Sequence, residues 1–449
     1  MLPNRLTTHP DIAPLTAAAL LLAAALGCGL IVPPLFWAAL AAAAAAGITS
    51  LVFLHPTTFC VAWLMITGMS LEMSFADLAG DEMFQPMIAV VKGAGIGLAV
   101  ICALRFGPRL DPFNPVWAYL AMLAIGLVHG LHPGLTPAET VRSFVGSAAP
   151  FAFCFCLLPR KWPHAMIRAV AWCPAVAIAA SIPFAIAGIR PLFVESGGAR
   201  LGGLGHPAFL AGVCLAAIYA CLILLYRHGR RRDLMLLTVN FVFLLLTGAR
   251  APLAYAVAVT GLGLTTIRST VFPLHRRLLL IVAGAVAAPV MLLFAGDLSD
   301  IRLFNVVTNY AGDLSGRGLL WPAFEAASAQ SPWFGWGIGA GNAVVPPDGP
   351  VARTLHTWAA HNEYLRMEVE GGQIGRAAFI GLFAAWVIVH TRVLRPADAR
   401  IMRLVFAAFA CHAVTDNVLI STPACVLFAL ATAVFADARL ALPDSAPKV

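Results

Sequence analysis

The sequence predicts an all-α polytopic membrane protein with about 12 transmembrane helices, up to 14, and one large, partly helical outside loop. Hydrophobic residues make up 60% of the 449 positions and charged residues only 11%, whereas soluble domains carry roughly 25% charged residues. Apolar runs of spanning length recur along the chain, and one long polar segment, about 297–373, interrupts them. One aqueous core cannot bury this much apolar surface, so lipid must cover much of it.

Candidate spans are the windows of about 20 apolar residues that a helix needs to cross the hydrocarbon core. The full set is an upper count, because several windows are short and adjacent ones can merge. They divide the chain into a helix bundle at 1–296, the outside loop at 297–373 and C-terminal helices at 374–449. The windows lie near 15–32, 35–54, 57–73, 86–104, 115–132, 140–158, 167–189, 207–226, 234–248, 251–267, 278–296, 374–391, 401–420 and 422–438.

Orientation follows from the bias of arginine and lysine toward alternate loops, which marks the cytoplasmic side. The opposite loops are poorer in basic residues for their length, and the loop at 74–84 holds acidic residues and no basic one. This predicts both termini in the cytoplasm and the outside loop on the other face. It also explains the net charge of +8 without nucleic acid. The basic clusters lie at 105–109, 160–168, 227–232, 268–277 and 392–403.

Two helices are predicted within the outside loop. The first runs near 318–330 and stops before a Ser-Pro pair, and the second runs near 359–370 and stops at two consecutive glycines. Four alternate glycines between 335 and 341 predict an irregular connector between them. The loop also contains four tryptophans, a residue type typical of helices that lie at the membrane interface.

Four arginines break the orientation rule, because they fall at or near the outer face. Arg200 lies in a glycine-rich turn, Arg250 lies in a tight turn between two apolar runs, Arg317 opens the first loop helix, and Arg142 lies inside an apolar run. Arginine at membrane depth is costly and suggests a function. A guanidinium binds phosphate oxygens through two parallel hydrogen bonds, so an anionic ligand is the candidate, with headgroup contact or an interhelical ion pair as the alternative.

His361 is the candidate for proton transfer. On a helix it would share a face with Tyr364, Leu365 and Glu368 by i, i+3, i+4, i+7 spacing. Imidazole has an ordinary pKa of about 6.5, which suits a general base at neutral pH. By itself, however, a histidine here is more often structural. The i, i+3 neighbours Glu363 and Arg366 are predicted to pair with each other.

A metal centre is not supported by the sequence. All ten cysteines fall in or beside apolar runs, so a zinc site or a disulfide framework in the outside loop is not expected. His356 and His361 are five residues apart, a poor spacing for one helical face, and His356 is interpreted as structural. We therefore expect neither a metal nor a cofactor.

Five segments follow one another in the second half of the chain: TGAR at 247–250, SGRGLLW at 315–321, PWFGWGIG at 332–339, HNEYL at 361–365 and EGGQIG at 370–375. Together they resemble the bacterial O-antigen ligase and polymerase family of membrane glycosyltransferases. The order of the segments and the position of the outside loop agree as well, and the likeness covers about 197–375, while the first 190 residues are similar only in hydropathy. One departure is the turn around Arg250, where alanines replace the serine before and the glycine after the arginine that the family often has.

Within that family the chain looks most like the O-antigen ligases. The resemblance implies a GT-C-like membrane enzyme that moves a finished polysaccharide from undecaprenyl diphosphate onto lipid A–core oligosaccharide, at the periplasmic face of the bacterial inner membrane. It implies His361 as the catalytic base, supported by Asn362 and Tyr364, and no metal. It also implies Arg200 and Arg250 as diphosphate ligands, and Arg317 and Arg142 remain further candidates for that role. Membrane lipids are the other expected partners.

Three other functions stay open at this point. An O-antigen polymerase would use the same donor with another lipid-linked glycan as acceptor, and a protein O-oligosaccharyltransferase would glycosylate a protein. A transporter of lipid-linked sugars belongs to a different class, and it would show polar residues at mid-membrane within paired, broken helices. Lys92, Asn240, His412, Asp416 and Asn417 are polar residues in or beside apolar runs, but no internal repeat accompanies them. Asp416 and Asn417 are also interpreted as a helix-packing pair.

Overall fold

A computed structural model shows a bundle of α-helices. Most of the first two predicted spans, the segment 294–316, the side chain of Arg317 and the whole of His356 lie outside the described residues. The predictions that fall on them remain predictions. The structure describes residues 49–72, 74, 80, 84–195, 198–293, 317–355 and 357–440.

The helices are numbered here in chain order. Within the described residues, two short antiparallel strands, β1 (Phe193–Glu195) and β2 (Ala199–Leu201), are the only sheet. The helices are α1 Pro56–Met69, α2 Phe84–Phe106, α3 Val116–His129, α4 Pro137–Ala148, α5 Trp162–Ile186, α6 Pro207–His228, α7 Arg231–Leu246, α8 Arg250–Thr266, α9 Leu274–Leu293, α10 Arg317–Gln330, α11 Pro350–Leu355, α12 Glu363–Arg392, α13 Pro396–His412 and α14 Thr422–Leu440.

Five of the described helices, α2, α5, α6, α12 and α14, are long and apolar enough to cross a membrane. Two shorter apolar helices, α1 and α3, accompany them. In α6 and α14 the most apolar stretch is 83% and 78% buried inside the protein, against 17% in α12. A helix that is apolar on all sides belongs at the centre of a bundle or against lipid. The described residues thus form a helical membrane protein with α6 and α14 at its centre, while the total number of spans stays a prediction.

The apolar run at 140–158 was predicted as one span, and this is wrong. A capping box, in which Thr136 and Glu139 bond reciprocally to each other's backbone, starts α4 earlier than the hydropathy indicates. After α4 the chain continues as a 3-10 helix, Ala149–Phe155. Capping chemistry and the prolines of this segment overrode the hydropathy signal.

Pro150 is the physical reason why α4 ends. Proline has no backbone N–H, so the carbonyl of Gly146 receives no helical hydrogen bond. The ammonium of Lys92, on α2, donates to that carbonyl instead, at 3.2 Å. This bond ties α2 to the end of α4.

Two further sequence predictions need correction. The span predicted at 401–420 ends as a helix at His412, and 413–421 forms a non-helical connection to α14. The turn that contains Arg200 is a β-hairpin rather than a simple turn, with Val194 paired to Arg200. Backbone pairing satisfies the amide groups that a short segment between two helices otherwise leaves without partners.

The second loop helix starts later than predicted, at Glu363, and runs into the following span as α12. A break inside α12 lies at Gly372, whose φ of 59° and ψ of −165° are not helical. The sequence had placed the end of the loop helix at this glycine pair. The first loop helix, α10, agrees with its predicted range of 318–330 to within one residue.

The segment before the break docks onto it through backbone hydrogen bonds. Trp336 and Gly337 donate their N–H groups to the carbonyls of Val369 and Glu370, at 2.9 and 3.0 Å. These carbonyls would otherwise be left open by the non-helical residue. The segments PWFGWGIG, at 332–339, and EGGQIG, at 370–375, therefore interlock.

Glycine is needed on both sides of this contact. A Cβ on Gly335 would lie 2.5 Å from the nitrogen of Gly371, and a Cβ on Gly372 would lie 2.3 Å from the carbonyl carbon of Trp333. Both glycines also have a positive φ. The interlock fixes the direction in which α12 leaves the outside loop, and thereby the position of the residues just before it.

Candidate active site

His361 lies immediately before α12 and not on it. The N-cap of the helix is Asn362. Its side-chain oxygen accepts hydrogen bonds from the backbone N–H groups of Tyr364 and Leu365, at 3.1 and 3.2 Å. The predicted helical face from His361 to Glu368 is therefore wrong. His361 instead takes a left-handed backbone conformation, with φ of 47°.

Two side chains hold the imidazole of His361. Its Nδ1 lies 3.1 Å from Oδ1 of Asp416, and its Nε2 lies 3.1 Å from the hydroxyl of Thr357. A left-handed conformation costs a residue other than glycine about 1–3 kcal/mol and persists where the surroundings enforce it. Such backbone strain is concentrated at functional sites.

The pairing with Asp416 determines which ring nitrogen can act as a base. A carboxylate accepts hydrogen bonds and cannot donate them, so Nδ1 of His361 carries the proton that faces Asp416. Nε2 then keeps its lone pair, which the Thr357 hydroxyl or another hydroxyl can approach. The side chains of His361 and Asp416 are 32% and 40% exposed, so a substrate can reach them.

Asp416 stays ionised in this arrangement. Burial by itself would raise the pKa of its carboxyl, but the hydrogen bond and charge of His361 outweigh that effect, and the pKa lies below its usual value. The backbone N–H of Asn417 also donates to Oδ1 of Asp416, at 2.8 Å. The carboxylate is therefore a fixed acceptor for the imidazole at neutral pH.

The start of α12 holds the 413–421 connection that carries Asp416. The backbone N–H of Glu363 donates to the carbonyl of Ala413 at 2.8 Å, and its carboxylate accepts from the N–H of Leu419 at 2.7 Å. The hydroxyl of Tyr364 donates to the carbonyl of Ala410 at 2.9 Å. These bonds bring Asp416 to His361 although 55 residues separate them in the chain.

Glu363 is itself part of a buried ion triad. Arg366 donates to Glu363 at 2.6 Å and to Glu370 at 2.7 Å, and all three side chains are almost fully buried. The predicted pairing of Glu363 with Arg366 is confirmed. Because its charge is balanced by two carboxylates, Arg366 serves the architecture of the site.

Arg200 lies on β2 and is mostly buried, with 8% of its surface exposed. Its Nε donates to the carbonyl of Thr247, the C-cap of α7, at 2.8 Å. The last carbonyls of a helix lack intrahelical donors and attract cations. This bond joins the hairpin to the TGAR turn that carries Arg250.

Arg250 is the first residue of α8, and its side chain is exposed. Ala249 is the N-cap and offers no side-chain cap, so the first N–H groups of α8 are not bound by a capping oxygen. Helix N-termini attract anions through these N–H groups and the helix dipole. The replacement of the family's serine by Ala249 leaves this end of α8 open to a ligand.

A single cavity of about 1530 Å³ connects these groups. Arg142, Arg200, Arg250, His361 and Asp416 all line it. Many of the lining residues belong to helix ends or loops that the arginine bias predicts at the outer face. The cavity exceeds the roughly 300–1000 Å³ of ordinary small-molecule sites, which suits larger substrates.

Asn362 and Tyr364 do not line this cavity. Asn362 caps α12 and Tyr364 binds the end of α13, so both hold His361 and Asp416 in place from behind. The side chain of Arg317 lies outside the described residues, and its predicted role remains a prediction. Among the described residues, no three His, Cys, Asp or Glu side chains come together in a way that could hold a metal ion.

Sequence reasoning missed two residues of this site, Asp416 and Thr357. Asp416 was noticed only as a polar residue beside an apolar run, and Thr357 not at all. The one available signal was a carboxylate at the outer end of a predicted span, where a charge is costly without a partner. Nothing in the linear pattern indicated that this partner is His361.

Fold and site together define a helical membrane protein with a cationic cavity that contains an accessible histidine–carboxylate pair. Residues 234–380 match the family model described as O-antigen ligase, which includes Arg250 and His361. The match covers about a third of the chain, and it agrees with the resemblance seen in the sequence. No curated protein matches the chain.

Proposed function

We propose that the protein is an O-antigen ligase. It transfers a finished polysaccharide from undecaprenyl diphosphate to a sugar hydroxyl of lipid A–core, with inversion at the anomeric carbon and without a metal. The observation that carries this proposal is the single cavity in which Arg200 and Arg250 share one space with the His361–Asp416 pair. The match of residues 234–380 to the O-antigen ligase model supports the same donor class.

The donor half of the site has to stabilise negative charge on the leaving diphosphate. Arg250 and the uncapped start of α8 face the cavity, and Arg200 is anchored beside them through Thr247. Fixed positive groups aimed at a developing charge lower the barrier most where water is excluded. The diphosphate is already a good leaving group, so the mechanism needs no general acid.

The acceptor half of the site has to remove a proton. The acceptor hydroxyl oxygen attacks the anomeric carbon, and the bond from that carbon to the diphosphate oxygen breaks with its electron pair on that oxygen. The hydroxyl proton moves to Nε2 of His361, whose other nitrogen is held by Asp416. Attack from the face opposite the diphosphate inverts the anomeric centre.

The proposed setting is the bacterial inner membrane, with about 12 spans, up to 14, both termini in the cytoplasm and the cavity on the periplasmic side. Two facts support this orientation. The lining segments lie at the ends of the helices opposite the arginine-rich loops, and those loops are the expected cytoplasmic ones. Both substrates are lipid-anchored and meet the cavity from the membrane plane.

The first test is complementation of a strain that lacks the protein. Loss of polysaccharide-capped lipopolysaccharide with retained long lipid-linked polymer is the expected phenotype. His361→Ala should fail to restore capping while the protein still accumulates, because loss of a general base lowers the rate about 100- to 10,000-fold. Full capping by this variant would exclude His361 as the base.

The same strain separates the related functions. Core bearing a single repeat would identify a polymerase, and an unmodified glycoprotein would identify a protein transferase. Purified protein in detergent, which has no closed compartments, should ligate a lipid diphosphate-linked glycan to lipid A–core. A transporter would show no such product. A linkage with unchanged anomeric configuration would refute the inverting mechanism.

A further inference from the structure

The cavity has a second cationic wall, formed by α2 and α4. Lys92 and Arg142 both line it, and the bond from Lys92 to the carbonyl of Gly146 holds the two helices together. Arg200 and Arg250 line the cavity from other elements, the hairpin and α8. The cavity therefore carries two groups of positive charge on different elements.

Lys92 is a buried cation, with 5% of its surface exposed. Its ammonium donates to the carbonyls of Gly146 and Ile420, at 3.2 and 2.7 Å, which uses two of its three N–H groups. In the part of the chain that the structure describes, no carboxylate forms a direct ion pair with it, and Glu72 and Glu363 act on its charge only from a greater distance. A buried ammonium without a direct ion pair is unfavourable, and an anion bound in the cavity would supply one.

Arg142 lies on the exposed side of α4, close to Lys92 along the same wall. The nearest acidic residue along the helix, Glu139, is committed to the capping box, where it accepts from the N–H and hydroxyl of Thr136 at 2.9 and 2.7 Å. Arg142 itself makes no hydrogen bond or ion pair with another described residue. Its guanidinium can therefore bind a ligand in the cavity.

One diphosphate does not account for both walls. Arg200, Arg250 and the open start of α8 already form a binding site for it on one side. A transfer reaction has a second substrate, and His361 has to meet that substrate in the same cavity. The second cationic wall thus fits the acceptor, and the chemistry it recognises is a phosphate or carboxylate group.

We propose that Lys92 and Arg142 form an acceptor subsite that binds an anionic substituent, phosphate or carboxylate, on the acceptor glycan. The acceptor role of this subsite rests on the proposed transfer reaction. It differs from the role in diphosphate binding that the sequence alone suggested for Arg142. The subsite would place a charged sugar on one wall so that a neighbouring hydroxyl faces His361.

The test measures binding of two matched acceptor glycolipids to the detergent-solubilised protein, with no donor present. One carries a single phosphate monoester on a sugar, and the other lacks it. The wild-type protein should bind the phosphorylated glycolipid about tenfold or more tightly, because one hydrogen bond to a charged group is worth about a tenfold change in affinity or more. Arg142→Gln should remove most of this preference and leave affinity for the neutral glycolipid unchanged.

Two further variants complete the design. Lys92→Gln keeps N–H donors for the carbonyls of Gly146 and Ile420 but removes the charge, and it should also reduce the preference for phosphate. Arg353→Gln removes an exposed arginine from α11, outside the cavity lining, and should bind both glycolipids like the wild type. Equal loss for both glycolipids in Arg142→Gln, or no loss, would overturn the proposal.

A second measurement distinguishes the acceptor from the donor. Binding of a short-chain prenyl diphosphate sugar should be unchanged in Arg142→Gln and weakened in Arg250→Gln. Weaker diphosphate binding in Arg142→Gln would assign this arginine to the donor and refute the acceptor subsite. If the wild-type protein binds the glycolipids as expected but ligates nothing, the proposed function fails while the anionic subsite stands.

Discussion

Among the described residues, His390 pairs with Asp111 at the end of the bundle that carries the arginine-rich loops, here called the basic end, and His361 pairs with Asp416 at the cavity end. The two pairs differ in what else can reach them. At the basic end, His390 is buried between Asp111 and Arg439, so both of its ring nitrogens have partners. At the cavity end, His361 is held by Asp416 and remains 32% exposed. The same two residue types serve as an interhelical brace in one place and as a candidate base in the other.

The arginines of the two ends differ in the same way. Arg227, at the basic end, donates to Asp398 and Asp437 at 2.9 Å each and is 5% exposed. Arg250, at the cavity end, is exposed at the start of a helix and has no ion pair within the described residues. An arginine count does not distinguish these roles, whereas the group that each guanidinium faces does. Three substitutions test this contrast, in order of their expected effect on transfer.

Arg250→Gln should have the largest effect. Removal of one donor that stabilises a developing oxyanion lowers the rate about 100- to 1000-fold. Ligation by purified protein, at matched amounts of folded enzyme, measures the effect. Arg250→Lys keeps the charge but loses the two-pronged geometry, so it should recover only part of the activity. A wild-type rate in Arg250→Lys would mean that the side chain only contacts lipid headgroups.

Asp416→Asn should have an intermediate effect, because the imidazole loses its charged acceptor. A hydrogen bond to a charged group is worth about 1.5–3 kcal/mol, which corresponds to about a 10- to 100-fold lower rate. The folded protein should accumulate normally, since Asp416 is 40% exposed. Asp111→Asn at the basic end is the matched control, and it should lower thermal stability with little change in the rate per folded molecule.

The pH dependence sharpens this prediction. The pKa of Asp416 is lowered in the folded protein, so the effect of its carboxylate is fully present above the ordinary pKa of about 3.8 and disappears only as pH falls through the lower folded value. The carboxyl of Asp416 should therefore stay ionised between about pH 6 and pH 8, which infrared difference spectra of the wild type against Asp416→Asn measure directly. A protonation change of this carboxyl in that range would contradict the arrangement.

Arg227→Gln should have the smallest effect on transfer and a large effect on stability. Breaking a buried ion pair leaves Asp398 without its partner, which costs about 3–5 kcal/mol. Thermal unfolding in detergent would show a clear decrease, while the rate per folded molecule should change less than about threefold. The double variant Arg227→Gln/Asp398→Asn should recover part of the stability. A large loss of turnover in the folded single variant would contradict the division between the two ends.

Local patterns predicted much of the fold, and the exceptions have local causes. The helix α10 and the break at Gly372 follow from turn and glycine signals that act within a few residues. The prediction of one helix over 140–158 was wrong because Pro150 ends the α-helix inside the apolar run. Hydropathy does not detect this effect of proline. The prediction that His361 lies on a helix was wrong because Asn362 is the N-cap, so the helix begins only after it.

The sequence by itself determined the membrane-helix class, the basic loops and the family resemblance, and it singled out Arg142, Arg200 and Arg250 as ligand candidates, since each depends on composition or on residues close in the chain. Only the tertiary structure decided that Asp416 contacts His361 across 55 residues and that Lys92 donates to the carbonyl of Gly146 at the end of α4. Such contacts depend on how helices of similar hydropathy pack against one another. Apolar patterning specifies that a helix is buried, and the side chains that interlock at each helix end specify its neighbours.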